Sequence, residues 1–272
     1  MDTTRQGAAV NARAIGVEGP RGWAFRGVDI SAEPGSLIAL QGPSGSGRTC
    51  LLLSLTGRMR ITEGEATVAG FPLPKRMGTV RSRTAIAHVP GVADLEPALT
   101  AGEHLQEQAL LGQRLNRSLS GSLPWSRRYK DAARARIDAA LAAAQLDPAT
   151  LPKGLRTSVR DLERLEALRL SIALAVMHSP RLLAVDDVDL KLSATERALA
   201  WQLLRDLALA GTTVVAAGSD APSDALIVRT ATPGAQDTPD SSAQDTTAPG
   251  PKGPADTNEE EAAHAFAETG RA

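Results

Sequence analysis

The sequence predicts an α/β fold: a mainly parallel sheet with helices over both faces. Three observations carry this. Four short, continuously apolar runs recur along the chain, as strands buried on both sides require. Segments with helical spacing separate them. A glycine-rich loop joins the first of those runs to the helical segment after it.

In chain order, Ser36 to Gln41 (SLIALQ) reads as a buried strand, and Arg48 to Gly57 as a helix that stops at its glycine. Thr84 to Val89 reads as a strand. Thr100 to Leu115 reads as a helix, with Thr100 as N-cap and Glu103 three residues on, a capping-box pattern. Asp131 to Leu146 is alanine-rich, with Ile137, Leu141 and Ala144 at helical spacing. Leu162 to His178 is a further helix, Arg181 to Val185 a strand, Ser193 to Ala210 a helix and Thr212 to Ala217 a last strand. Residues 1 to 12 read as loose.

Composition narrows the class. In 272 residues the longest apolar run is about eight, Leu170 to Met177, whereas a membrane span needs roughly 20. One cysteine excludes an internal disulfide framework and a Cys-based zinc site. Met1 to Ala14 is polar, so no secretory signal is expected and the cytoplasm is the default location. Aromatics are too few for single-strand stacking platforms, so no nucleic-acid partner is expected. The net charge of −1 hides a split: residues 231–272 hold eight acidic and two basic residues, which leaves the remainder at +5. That tail lacks apolar bulk and is expected to be disordered. Arg114, Arg117, Arg127, Arg128 and Lys130, with Trp125 and Tyr129, form a basic segment. It reads either as a solvated loop or as a contact with a membrane partner or anionic lipid.

The chemistry concentrates in Gly42-Pro43-Ser44-Gly45-Ser46-Gly47-Arg48-Thr49. Glycines let successive backbone N–H groups turn inward as an anion nest, and the following helix adds its positive end. Thr49 is placed to ligate Mg²⁺. Arg48 stands where the phosphate-loop pattern has lysine; its longer, forked head overreaches the point a lysine would touch. Cys50 completes the cofactor-binding stretch and reads as a small buried residue rather than a reactive thiol. The alternative is a glycine loop that only caps a helix. A second carboxylate-bearing strand supports the nucleotide reading: after Leu182 to Val185, Asp186 would hold Mg²⁺ and Asp187 would orient or deprotonate water.

At these residues a resemblance appears. Trp23 to Cys50 resembles the start of an ABC transporter ATP-binding cassette, and Pro180 to Asp187 resembles its Walker B region. The likeness runs in order and spacing over residues 13–229, including Val89 to Leu105. It implies a P-loop NTPase with a RecA-like core, an N-terminal antiparallel β portion and a helical subdomain at about 93–165, within a cassette domain of 13–230. It also implies ATP and Mg²⁺ as cofactors, a separate membrane protein as partner and a homo- or heterodimer with another cassette. The chain would then sit at the inner face of the cell membrane.

Departures fall at nearly every catalytic position of that family. Gly91 stands where its Q-loop glutamine belongs, and Leu162 to Glu166 where its LSGGQ signature belongs. Leu119 to Ser122 looks like that signature but lies too far upstream. Arg169 and Pro180 keep the spacing. Asp187 replaces the catalytic glutamate, Ser219 the switch histidine and Ser193 the D-loop aspartate. No aromatic sits near Gly19 to stack on adenine; Trp23 is a loose substitute. The implied function is an ATP-binding subunit whose hydrolysis is slow or lost. The competing reading is a cassette fold kept as a scaffold or regulatory partner. A P-loop kinase or GTPase fits worse, for want of an arginine lid and an N-K-x-D motif.

Overall fold

The computed structural model describes residues 7–116 and 127–231. The tail from residue 232, residues 1–6, Leu119 to Ser122, and the side chains of the basic segment at 112–130 lie outside the described residues.

In chain order the strands are β1 (Val10–Gly19), β2 (Gly22–Ala32), β3 (Leu37–Gln41), β4 (Glu63–Val68), β5 (Phe71–Leu73), β6 (Thr84–Ala87), β7 (Leu182–Val185), β8 (Thr213–Ala217) and β9 (Leu226–Arg229). The helices are α1 (Arg48–Leu55), α2 (Met77–Arg81), α3 (Ala101–Asn116), α4 (Arg127–Ala143), α5 (Arg164–Val176) and α6 (Ala194–Leu209). The expected parallel sheet is present, five strands in the order β6-β7-β8-β3-β9. A second, antiparallel sheet has the order β2-β1-β4-β5.

Side chains alternate across a strand, so each parallel strand serves two cores. Leu37, Ala39, Leu183, Val185, Val214 and Ala216 face a core shared with α3, α4, α5 and α6. Ile38, Leu40, Leu182, Ala184, Val215 and Ala217 face a core shared with α1 and the antiparallel sheet. This two-sided burial is why the strands read as continuous apolar runs.

The N-terminal segment departs from expectation. Residues 7–12 are ordered, and β1 begins at Val10. The Ala8 N–H donates to the Arg181 carbonyl at 2.9 Å, and the Thr213 hydroxyl donates to the Ala8 carbonyl at 2.8 Å. A Cβ on Gly7 would lie 2.5 Å from the Gly35 nitrogen. The small residues that make this stretch look loose are what let it approach two other segments so closely.

Strand β6 ends sooner than the sequence suggests, because His88 turns to a φ of 47° and leaves the extended region. Helix α4 begins before Asp131, at Arg127, and α5 begins at Arg164 rather than Leu162. No described helix is long and apolar enough to cross a membrane.

Candidate functional site

Strand β3 delivers the chain into the glycine loop, and the loop's conformation demands its glycines. Gly45 and Gly47 both have a φ of 81°, in the left-handed region. A Cβ on Gly47 would fall 2.1 Å from the Ala24 carbonyl oxygen, so no side chain fits there. Pro43, Ser44 and Gly45 form the exposed tip. Ser46 instead points inward, fully buried, its hydroxyl 2.7 Å from that of Thr230 beyond β9. Thr230 in turn donates its N–H to the Gln41 carbonyl at 2.8 Å, and a Cβ on Gly42 would meet Ser46 and Thr230 at 2.5 Å.

Helix α1 starts at this loop with no side chain capping its N-terminus and no acidic residue in its first turn. Its free N–H groups and positive dipole end are therefore open to an anion. Cys50, half-buried, packs against the α1-side core; burial first, and the Asp186 charge second, raise its thiol pKa. That is the behaviour of an inert thiol.

The carboxylate strand ends beside the loop. Asp186 follows β7 directly and is buried, with 2% of its surface exposed. The Thr49 hydroxyl donates to its Oδ2 at 2.5 Å, and the Asp187 N–H to its Oδ1 at 3.0 Å. Burial raises the Asp186 pKa, and the Asp187 charge adds to this. The Thr49 hydrogen bond and Arg48 oppose it without cancelling it. A hydroxyl and a carboxylate, both hard oxygen donors, with the carboxylate penalised by burial, fit a Mg²⁺ ion.

Arg48 and Asp187 face each other. Arg48 Nη2 lies 3.9 Å from Asp187 Oδ1, both side chains being partly exposed. Asp187 has a φ of 44°, a conformation non-glycine residues rarely adopt. The arginine is thus directed at the carboxylate expected to handle water.

Other residues singled out in the sequence are held by partners it did not reveal. The Ser219 hydroxyl donates to Asp189 Oδ2 at 2.7 Å, and the Asp220 N–H donates to the same oxygen at 3.0 Å. Asp189 is held below its ordinary pKa by these bonds, against the opposing effect of burial. Gly91, with a φ of 74°, donates its N–H to Asp94 at 2.7 Å. Arg164, the first residue of α5, donates from Nη2 to the His88 ring at 2.8 Å. Burial first and Arg164 second lower the His88 pKa, which keeps the ring a neutral acceptor. At the start of α5, Glu163 donates its N–H to the Glu166 carboxylate at 2.9 Å. Trp23 is covered by the Arg26 guanidinium, 4.5 Å from its ring centre. Asp189 and His88 were missed because their partners lie 30 and 76 residues away in sequence.

Comparison with known proteins agrees with this geometry. The family model for the ABC transporter matches residues 25–189, more than half of the chain. Among curated relatives, the Nod factor export ATP-binding protein I of Cupriavidus metallidurans is 29% identical over 188 residues, covering 69% of this chain and 55% of that protein. The protein of the same name from Rhizobium meliloti is 28% identical over 191 residues, covering 70% and 51%. This chain therefore spans about half the length of the curated relatives it matches. Among solved structures, cbiO1 of Clostridium perfringens, part of an ABC transporter complex, superposes with a TM-score of 0.62 at 18% identity, over 78% of each chain. A bacterial ABC transporter cassette solved as a dimer gives a TM-score of 0.62 at 20% identity, over 82% of this chain and 94% of that one. These superpositions support the fold. With the matched family model and the glycine loop set against a carboxylate strand, they lead to one conclusion: the chain belongs to the ABC transporter ATP-binding cassette family.

Proposed function

We propose that this chain is the ATP-binding subunit of a transport system, acting with a separate membrane protein and pairing with a second cassette, and that it binds ATP far better than it hydrolyses it. The observation that carries this is the uncapped, glycine-lined start of α1 set against the Thr49–Asp186 pair. In this reading the loop Gly42 to Arg48 holds the phosphates through its backbone N–H groups, Pro43, which has none, only shaping the turn, with Cys50 packing behind them, and Thr49 and Asp186 hold Mg²⁺. The bound ion would neutralise phosphate charge. The cassette domain runs to Thr230, with its helical subdomain at about 93–165 and the acidic tail from 231 beyond it.

Weak hydrolysis follows from the same site. Asp187 is one methylene shorter than glutamate, and its carboxylate faces Arg48 at 3.9 Å. Ser219 has its hydroxyl committed to Asp189. Gly91 has no side chain to offer. Phosphoryl transfer depends on positioning and electrostatics, so losing three positioning groups together costs orders of magnitude in rate. These same contacts favour a second reading, in which the cassette fold is a scaffold that no longer binds nucleotide.

Thermal unfolding with Mg-ATP separates the two. A ligand at a hundredfold excess over its Kd stabilises the folded state by about 2.7 kcal/mol, a midpoint rise of roughly 5–10 °C for a domain of this size. A rise without phosphate release is the expected result. No rise at millimolar Mg-ATP leaves the scaffold reading; turnover near ~1 s⁻¹ that Asp186→Ala abolishes overturns slow hydrolysis.

A further inference from the structure

Two rungs span the gap between the start of α1 and the end of β7. The Thr49 hydroxyl reaches Asp186 Oδ2 at 2.5 Å, and Arg48, the residue before it, faces Asp187, the residue after, at 3.9 Å. The rungs are tied together, since the Asp187 N–H donates to Asp186 Oδ1 at 3.0 Å. Asp187 has a φ of 44°, and its carbonyl accepts the Leu190 N–H at 3.1 Å, a local turn that fixes where its side chain leaves the backbone.

The Thr49–Asp186 rung is the proposed metal site. The Arg48–Asp187 rung has a different chemistry, a cation against an anion. Arg48 is the cation paired with Asp187 among the described residues. It also acts on the first rung, where Arg48 and Asp187 push the Asp186 pKa in opposite directions. One guanidinium therefore serves two carboxylates in the ligand-free protein.

Both members of the pair are open to an incoming group, with 20% and 33% of their side chains exposed. An ion pair that water reaches is weak and yields to a stronger partner. A phosphate is one, because it carries more charge than a carboxylate and takes a guanidinium through two oxygens. Length then decides which phosphate. The glycine loop presents its N–H groups close to the backbone, whereas Arg48, longer than a lysine, carries its charge past them toward Asp187.

We propose that the Arg48–Asp187 pair makes the glycine loop a reader of triphosphate against diphosphate, which rests on the reading that this loop binds nucleotide. In the ligand-free protein the Asp187 carboxylate holds Arg48 in the place of a terminal phosphate. Arg48 exchanges that carboxylate for the terminal phosphate of ATP, and with ADP it stays on Asp187. No bond has to break for this, so the role suits a site poor at hydrolysis. It also gives the two departures from the motif, a longer cation and a shorter anion, one shared purpose.

The test follows the Arg48 Nε–H resonance of the full-length protein by NMR, assigned by its loss in Arg48→Gln. Calorimetric titration with Mg-ADP and with the Mg complex of the non-hydrolysable β,γ-imido analogue of ATP runs beside it. Asp187→Asn keeps the size and tolerates the left-handed backbone, so the fold holds. In the ligand-free protein it is expected to shift the Arg48 resonance. The analogue shifts that resonance in the parent, and ADP leaves it in place. Asp187→Asn tightens the analogue about fivefold or more and ADP by less than about twofold, whereas Arg48→Gln weakens the analogue about tenfold or more and ADP by less than about threefold. An unmoved resonance in ligand-free Asp187→Asn overturns the pairing, with or without nucleotide binding. Equal changes in ADP and analogue affinity overturn the discrimination and leave nucleotide binding standing. A parent that binds neither nucleotide overturns the ATP-binding reading and the discrimination with it.

Discussion

Burial raises the pKa of Asp186, and this has a consequence at the scale of single residues. With its folded pKa above the unfolded value, the folded state holds the proton more tightly. Stability from this group is therefore greatest at low pH and falls as pH rises through the window between the two values. At neutral pH the ligand-free protein carries a penalised charge that a bound cation would relieve. Asp186→Asn keeps the shape and an acceptor for the Asp187 N–H while removing that charge. It is expected to raise the ligand-free midpoint at pH 7 and to abolish the extra stabilisation that Mg²⁺ gives ATP. Calorimetry with and without metal checks both, and a lower ligand-free midpoint would contradict the electrostatic account. Thr49 and Asp186, 137 residues apart, could be singled out because each sits in a short motif that fixes residue type and spacing. The grip of Asp189 on Ser219 could not, since it arises only when β8 brings a distant loop alongside β7.

At the scale of elements, three helices start in the same way. Thr100 and Glu103 cap α3 reciprocally: Thr100 donates its N–H to Glu103 Oε2 at 2.8 Å, and Glu103 donates its N–H to Thr100 Oγ1 at 3.2 Å. Ser193 and Glu196 repeat this at α6, at 2.8 and 3.3 Å. At α5 the Glu166 carboxylate accepts the Glu163 N–H. Each box fills N–H groups that would otherwise go unsatisfied and sets a carboxylate against the positive helix end. The first was legible in the sequence. The third was hidden, because glutamate is an unusual N-cap. The start of α5 is thus closed by its own carboxylates, whereas that of α1 is open. Glu166→Ala should destabilise the protein by about 0.5–2 kcal/mol in urea unfolding, and Glu166→Gln, which still accepts the N–H, by less. Equal losses in the two variants would show that the cap is not what the side chain contributes.

For the molecule as a whole, the parallel sheet is common to both cores. Leu40 points into the core with α1 and the antiparallel sheet, and Leu183 into the core with α3 to α6; neither has any exposed surface. This sharing is the part of the architecture the sequence expressed best, since strands buried on both faces leave uninterrupted apolar runs. The antiparallel sheet left a weaker trace: β1 mixes alanine, glycine, asparagine and arginine, and its register shifts between Ala12 and Glu18 break any clean alternation. Shared strands also set how the protein unfolds. Neither core can be lost alone without exposing one face of β3, β7 and β8, so the described body should melt in one step although it holds two cores. Leu40→Ala and Leu183→Ala each remove a buried side chain and leave a cavity, at about 2–5 kcal/mol apiece. Both are expected to lower the midpoint by roughly 5–15 °C while keeping a single calorimetric transition. A variant in which one core melts first, seen as two resolved heat-absorption peaks, would show that the sheet does not couple them.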